Sequence, residues 1–165
     1  MLRHQTASSY PESAYDGYLC LKPPPLVWVV VLYLTRELTL PFIMGAAHVA
    51  GVGGAAIAAL RSVWSPDVAV LVPALLGAPL LIVLFRRVPK AGGVVRWVWS
   101  HGKAFLACAA ISDFFIAGIR VIWAGEINDT AVLQGIGAAA DLCCLLYVLF
   151  SSRAHDAFAD FPLPL

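Results

Sequence analysis

Charge is scarce in this sequence. Lys, Arg, Asp and Glu make up 13% of its 165 residues, where a soluble domain carries about 25%. A water-soluble globule of this length could not cover its surface with so few polar groups. The net charge of +1 also excludes a basic nucleic-acid-binding domain. Cysteine is sparse and badly spaced for chemistry: Cys20, Cys108, Cys143 and Cys144 contain no Cys-x-x-Cys pair, which excludes a disulfide framework or a thiolate metal site. His4, His48, His101 and His155 fall in tails or near expected helix ends, not on facing helices where two could hold a haem. Phosphate-binding glycine loops, a Gly-x-Ser-x-Gly elbow and His-Glu-x-x-His are missing. The expectation is a non-enzyme with no cofactor and no metal.

Apolar residues, by contrast, are abundant: 61% of the chain, with a mean hydropathy of +0.83. A helix needs about 20 apolar residues to cross a hydrocarbon core of about 30 Å. Four stretches qualify: Leu26 to about Gly45, Asp67 to Phe85, Ala104 to Ala124, and Thr130 to Phe150. Lipid offers no partner for free backbone N–H and C=O groups, and nothing alternates like a barrel strand. The sequence therefore predicts an all-α integral membrane bundle of four transmembrane helices. Residues 1–25 form an N-terminal tail, 26–150 the transmembrane domain and 151–165 a C-terminal tail. The first run starts late, after Pro23-Pro24-Pro25, and carries Arg36 and Glu37, so it does not read as a cleavable signal peptide.

Basic residues give the orientation. Arg86, Arg87, Lys90, Arg96 and Lys103 cluster between the second and third runs, and such a cluster stays in the cytoplasm. Both termini are then cytoplasmic too, with Arg3 and Lys22 before the first helix and Arg153 after the last. Eight of the 11 basic residues lie inside on this count, Arg36 and Arg120 lie within helices, and Arg61 alone faces out. Residues 45–60 read as an extension of helix one or as a separate surface helix. Ser65-Pro66-Asp67 has the form of a helix start, and Asn128, Asp129 and Thr130 offer similar caps. Trp28, Trp64, Trp97, Trp99 and Trp123 all fall near expected ends, at headgroup level, and Val94 to Trp99 is expected along the cytoplasmic interface.

The charges inside the runs stand out. Arg36 and Glu37 lie mid-way along helix one, Asp113 along helix three and Asp141 along helix four, with Arg120 further towards the outer side. A central charge costs about 2.5–3.5 kcal/mol on insertion scales, so each should face protein or water. Ala109, Asp113, Ala117 and Arg120 share one helix face. Gly137 and Asp141 are a turn apart, and Gly135 and Ala139 offer another close-packing pair. These residues form a candidate charge cluster, with Tyr33 as a hydrogen-bond partner and Pro41 leaving the Glu37 carbonyl without a helical donor. The cluster reads either as a proton relay or polar substrate site, or as ion pairs that fix helix packing. Pro73, Gly77 and Pro79 in helix two read as a coordinating break or, more simply, as a tolerated kink.

Tyr15-Asp16-Gly17-Tyr18, then Leu21-Lys22-Pro23-Pro24 running into Trp28, Leu34-Thr35-Arg36, Trp64-Ser65-Pro66-Asp67 and Asp160-Phe161-Pro162 together resemble the landmarks of the YfeZ-like family of small bacterial inner-membrane proteins. The resemblance runs from about Tyr15 to Pro162. It implies an inner-membrane location and about four helices; it brings no catalytic residues, because that family has no established chemistry. The expected function is a non-enzymatic accessory or assembly subunit, embedded in the lipid bilayer and bound to another membrane protein or to its own copies. A small oligomeric proton-coupled transporter built on Glu37, Asp113 and Asp141 is the alternative.

Overall fold

The computed structural model describes residues 10–17, 20–51, 54–55, 58, 68–88, 90–123 and 129–161. Among them the fold is all-α. A short 3-10 turn over Glu12–Ala14 precedes α1 (Pro25–Leu34), α2 (Arg36–Val49), α3 (Val68–Arg86), α4 (Gly93–Ser100), α5 (Gly102–Trp123), α6 (Asp129–Phe150) and α7 (Ser152–Ala159). Helices α5 and α6 are each long and apolar enough to cross a membrane; α1 and α2 make a third such element if the bent pair counts as one span. Segment Leu71–Arg86 of α3 is apolar too.

The core is the seam where α1, α3 and α5 meet. Val27, Val30, Val31 and Leu34 of α1 pack with Leu80, Val83 and Leu84 of α3 and with Leu106, Ala109 and Ala110 of α5. Buried Ala109, Asp113 and Ala117 confirm the small-residue face expected on α5. The close pairing of α5 with α6 extends the seam, and Val148 of α6 joins it. Pro73 and Pro79 lie inside an uninterrupted α3, so the tolerated-kink reading holds.

Several expectations change. The first run is not one straight helix: it turns by 88° between Leu34 and Arg36. The third helix starts at Gly102, and Gly45 to Val49 belongs to α2. Arg61, Trp64 and the Ser65-Pro66-Asp67 cap lie outside the described residues. Trp99 is not open to its surroundings but 1% exposed within the protein, whereas Trp97 and Trp123 are open.

Trp99 is buried because the C-terminal segment folds over it. Its indole N–H donates to the carbonyls of Ala157 (3.0 Å) and Asp160 (3.1 Å), and its ring packs on Phe158. Arg87, just past α3, lies over the Trp99 ring at 4.8 Å. Its Nη1 donates to the Leu21 carbonyl (3.0 Å), its Nη2 to the Asp160 carbonyl (2.8 Å), and Asp16 is 3.6 Å away. The Leu21 N–H donates to the Asp160 carboxylate at 2.8 Å, and the Tyr10 hydroxyl donates to Asp156 at 2.9 Å. Burial lowers the Arg87 pKa from the ordinary arginine value, and Asp16, Cys20 and Asp160 oppose the shift; a guanidinium stays charged regardless. Ser151 caps α7 by accepting from the Ala154 N–H at 3.2 Å. The segments read as tails therefore form a folded cap on one end of the bundle. Cys20 is buried within it.

The cap hinges on Arg87. Replacing it by Gln removes a buried cation from two carbonyls and a carboxylate, a change worth about 3–5 kcal/mol at a buried pair. Trypsin should then cut at Arg153, within α7 of the cap, several-fold faster, with α5 and α6 still protected. An unchanged cleavage rate would mean that the cap contributes no local stability.

Candidate functional site

The sequence around the bend explains its position. Val31 to Leu34 continues an apolar helix into Thr35-Arg36-Glu37, where three polar side chains compete for backbone partners. The Thr35 hydroxyl donates to the Val31 carbonyl at 2.7 Å, the i−4 back-bond that bends helices. Arg36 Nη1 donates to the Tyr33 carbonyl at 3.1 Å, taking an acceptor that the helix ladder would otherwise use. A cation at a helix C-terminus also suits the dipole of α1. Beyond the turn, Thr35 accepts the N–H groups of Leu38 and Thr39, both at 3.0 Å, which starts α2. The break is at Thr35, so Pro41, inside α2, is not the hinge.

Gly77 of α3 makes room for this turn. Thr35 is fully buried, and a Cβ at Gly77 would lie 2.9 Å from its methyl group. Any larger residue there would force the buried Thr35 side chain or the backbone around it to shift.

The bend delivers the Arg36 side chain to α5. Its Nη1 pairs with Asp113 Oδ2 at 2.8 Å, and the guanidinium lies 4.5 Å from the Tyr33 ring centroid. Its Nε is 3.7 Å from Glu37, on the more open side. Asp113 is 3% exposed and Asp141, opposite it on α6, only 1%. The Tyr33 hydroxyl donates to the Gly137 carbonyl at 3.2 Å, and Asp141, one turn further along α6, lies close to Tyr33 and Asp113. Asp141 Oδ1 is buried with no hydrogen-bond partner in the protein.

Of the expected cluster, the structure gathers Arg36, Glu37, Asp113, Asp141 and Tyr33 at one level. It does not add Arg120, which lies about 10 Å further along α5 by helical rise and has an interaction of its own. Gly137 faces the cluster as expected, but Gly135 and Ala139 point out of the described bundle, with open space around Gly135. Among the described residues no group of three His, Cys, Asp or Glu could hold a metal ion. Sequence reasoning missed the cap residues Asp16, Arg87, Trp99 and Asp160. Their signal was the concentration of motifs in the two tails.

A double-mutant cycle measures the central pair. Arg36→Gln should cost about 3–5 kcal/mol, because it leaves the buried Asp113 without its cation, and Asp113→Asn should also destabilise, by removing the 2.8 Å acceptor of Arg36. The double variant should recover part of that loss. Thermal unfolding in detergent reads the cycle, and fully additive losses would show that the 2.8 Å pair contributes no coupling.

No curated protein and no solved structure is detectably similar to this chain. A family model described as a protein of unknown function matches residues 10–160. Those limits run from Tyr10 to Asp160, both of which bond within the cap. The match covers most of the chain, the bundle and the cap together, and the chain therefore belongs to the DUF2919 family of proteins of unknown function.

Proposed function

We propose that this protein is a multi-pass membrane subunit without enzymatic activity, which binds other membrane proteins through the outer face of α6. Four crossings and a cytoplasmic cap fit it best. The cap end holds Arg86, Arg87, Lys90, Arg96, Lys103 and Arg153, and basic clusters are retained in the cytoplasm. Parity then puts both termini there. The YfeZ-like landmarks favour the inner membrane of a bacterium as its site.

The open face of α6 carries the reading. Helix α6 packs extensively on α5 alone among the described helices. Its opposite side exposes Gly135, Ala139 and Cys143 at four-residue spacing, beside Val132, Ile136 and Leu142. Small residues at that spacing let a second helix approach closely in lipid, where packing rather than the hydrophobic effect drives association. Lipid alone gives no reason to keep glycine on a helix, which costs about 1 kcal/mol relative to alanine. A proton-coupled carrier is the second reading, favoured by the unpartnered oxygen of Asp141.

Purification in mild detergent, followed by identification of co-purifying proteins, tests the first reading. A stoichiometric membrane partner is expected, and Gly135→Leu should release it while leaving the α5–α6 pair folded. A lone chain or a lone homodimer, unchanged by Gly135→Leu, would reject the subunit reading.

A further inference from the structure

Two buried aspartates face each other across α5 and α6, and the packing reading uses only one of them. Arg36 pairs with Asp113 Oδ2 at 2.8 Å. Asp141 is 1% exposed, lies close to Asp113 and Tyr33, and leaves Oδ1 buried without a partner in the protein.

The charges facing this pair can be counted from every neighbouring element. From α1 and α2 come the Tyr33 hydroxyl, the Arg36 guanidinium and, on its more open side, Glu37. From α5 comes Asp113, and from α6 the Cys144 thiol, which senses Asp141 and Asp113. Helix α3 has no titratable residue between Val68 and Phe85. One cation therefore faces two aspartates and shares its remaining reach with Glu37. Two ionised carboxylates in contact repel strongly in apolar surroundings, and the contact becomes attractive when one proton lies between them. An ionised oxygen without a donor is also far costlier to bury than a neutral carboxyl.

We propose that Asp113 and Asp141 form a carboxyl–carboxylate pair that binds one exchangeable proton inside the helix bundle. Arg36 balances the single negative charge that remains, and the proton belongs to the pair rather than to either residue. The Tyr33 hydroxyl, which donates its one hydrogen to the Gly137 carbonyl, ties α1 to α6 one turn before Asp141. The site stands whether the protein acts as a subunit or as a carrier, because it requires only that both carboxyls stay buried together.

Infrared difference spectroscopy on the full chain in lipid nanodiscs tests this. The C=O band of a protonated carboxyl should be present at neutral pH. It should vanish in both Asp113→Asn and Asp141→Asn, since either remaining aspartate would be ionised beside Arg36, and persist at full intensity in Arg120→Gln. Asp141→Glu, which keeps a carboxyl in place, should retain the band at a shifted frequency and serves if the Asn variants do not fold. Absence of the band in the wild-type protein would overturn the proposal. So would its loss in only one of the two Asn variants, which would indicate an isolated acid. Bleaching on replacing potassium with sodium would assign the carboxylates to a metal cation instead.

Discussion

A guanidinium taken away from water must find its charge and its hydrogen bonds within the protein, and Arg36 finds both at Asp113. Desolvating such a pair costs several kcal/mol per ion, so the arrangement persists only where geometry and further donors and acceptors repay it. Here the repayment comes from the Asp113 carboxylate, the Tyr33 carbonyl and the face of the Tyr33 ring. The structure around the pair follows. The helix must turn at Thr35 for Arg36 to reach α5, and α3 must carry glycine at position 77 to admit the turn. Small residues on α5 bring the backbones close enough for a 2.8 Å contact.

The same constraint operates at the other end of the bundle with a different solution. Arg87 is withdrawn from solvent against Trp99, and its partners are mostly carbonyl oxygens supplied by the two chain ends. The Asp160 carboxylate, which could have served as a direct counter-ion, accepts instead from the Leu21 N–H. Backbone from residues 20–22 and 157–160 thus becomes part of the packed structure without a strand or a long helix.

The bundle was legible in the sequence because apolar run length and charge placement respond to the bilayer directly. The buried face of α5 followed from helical spacing, and Arg36, Asp113 and Asp141 were marked by the cost of their charges. The 88° turn was not legible as a turn. Thr35-Arg36-Glu37 was visible as a polar interruption, but a hydropathy count cannot tell a straight helix with a mid-span charge from one that breaks to aim it. The outward direction of Gly135 and Ala139 was misread because small residues mark close packing without saying which neighbour packs. The cap was invisible for a further reason: its bonds are made largely by backbone carbonyls, which carry no residue identity. Trp99 read as a headgroup anchor because its burial depends on a segment 58 residues away.

The bond from the Leu21 N–H to the Asp160 carboxylate spans 139 residues. A ribosome releases the first of those residues long before it makes the last, and helices enter the bilayer in the order of synthesis. The Arg36–Asp113 pair, 77 residues apart, can close while the chain is still attached. The cap cannot. Until translation reaches Asp160, Trp99 and Arg87 lack their final partners, so the cap can close only after every helix of the bundle has been made.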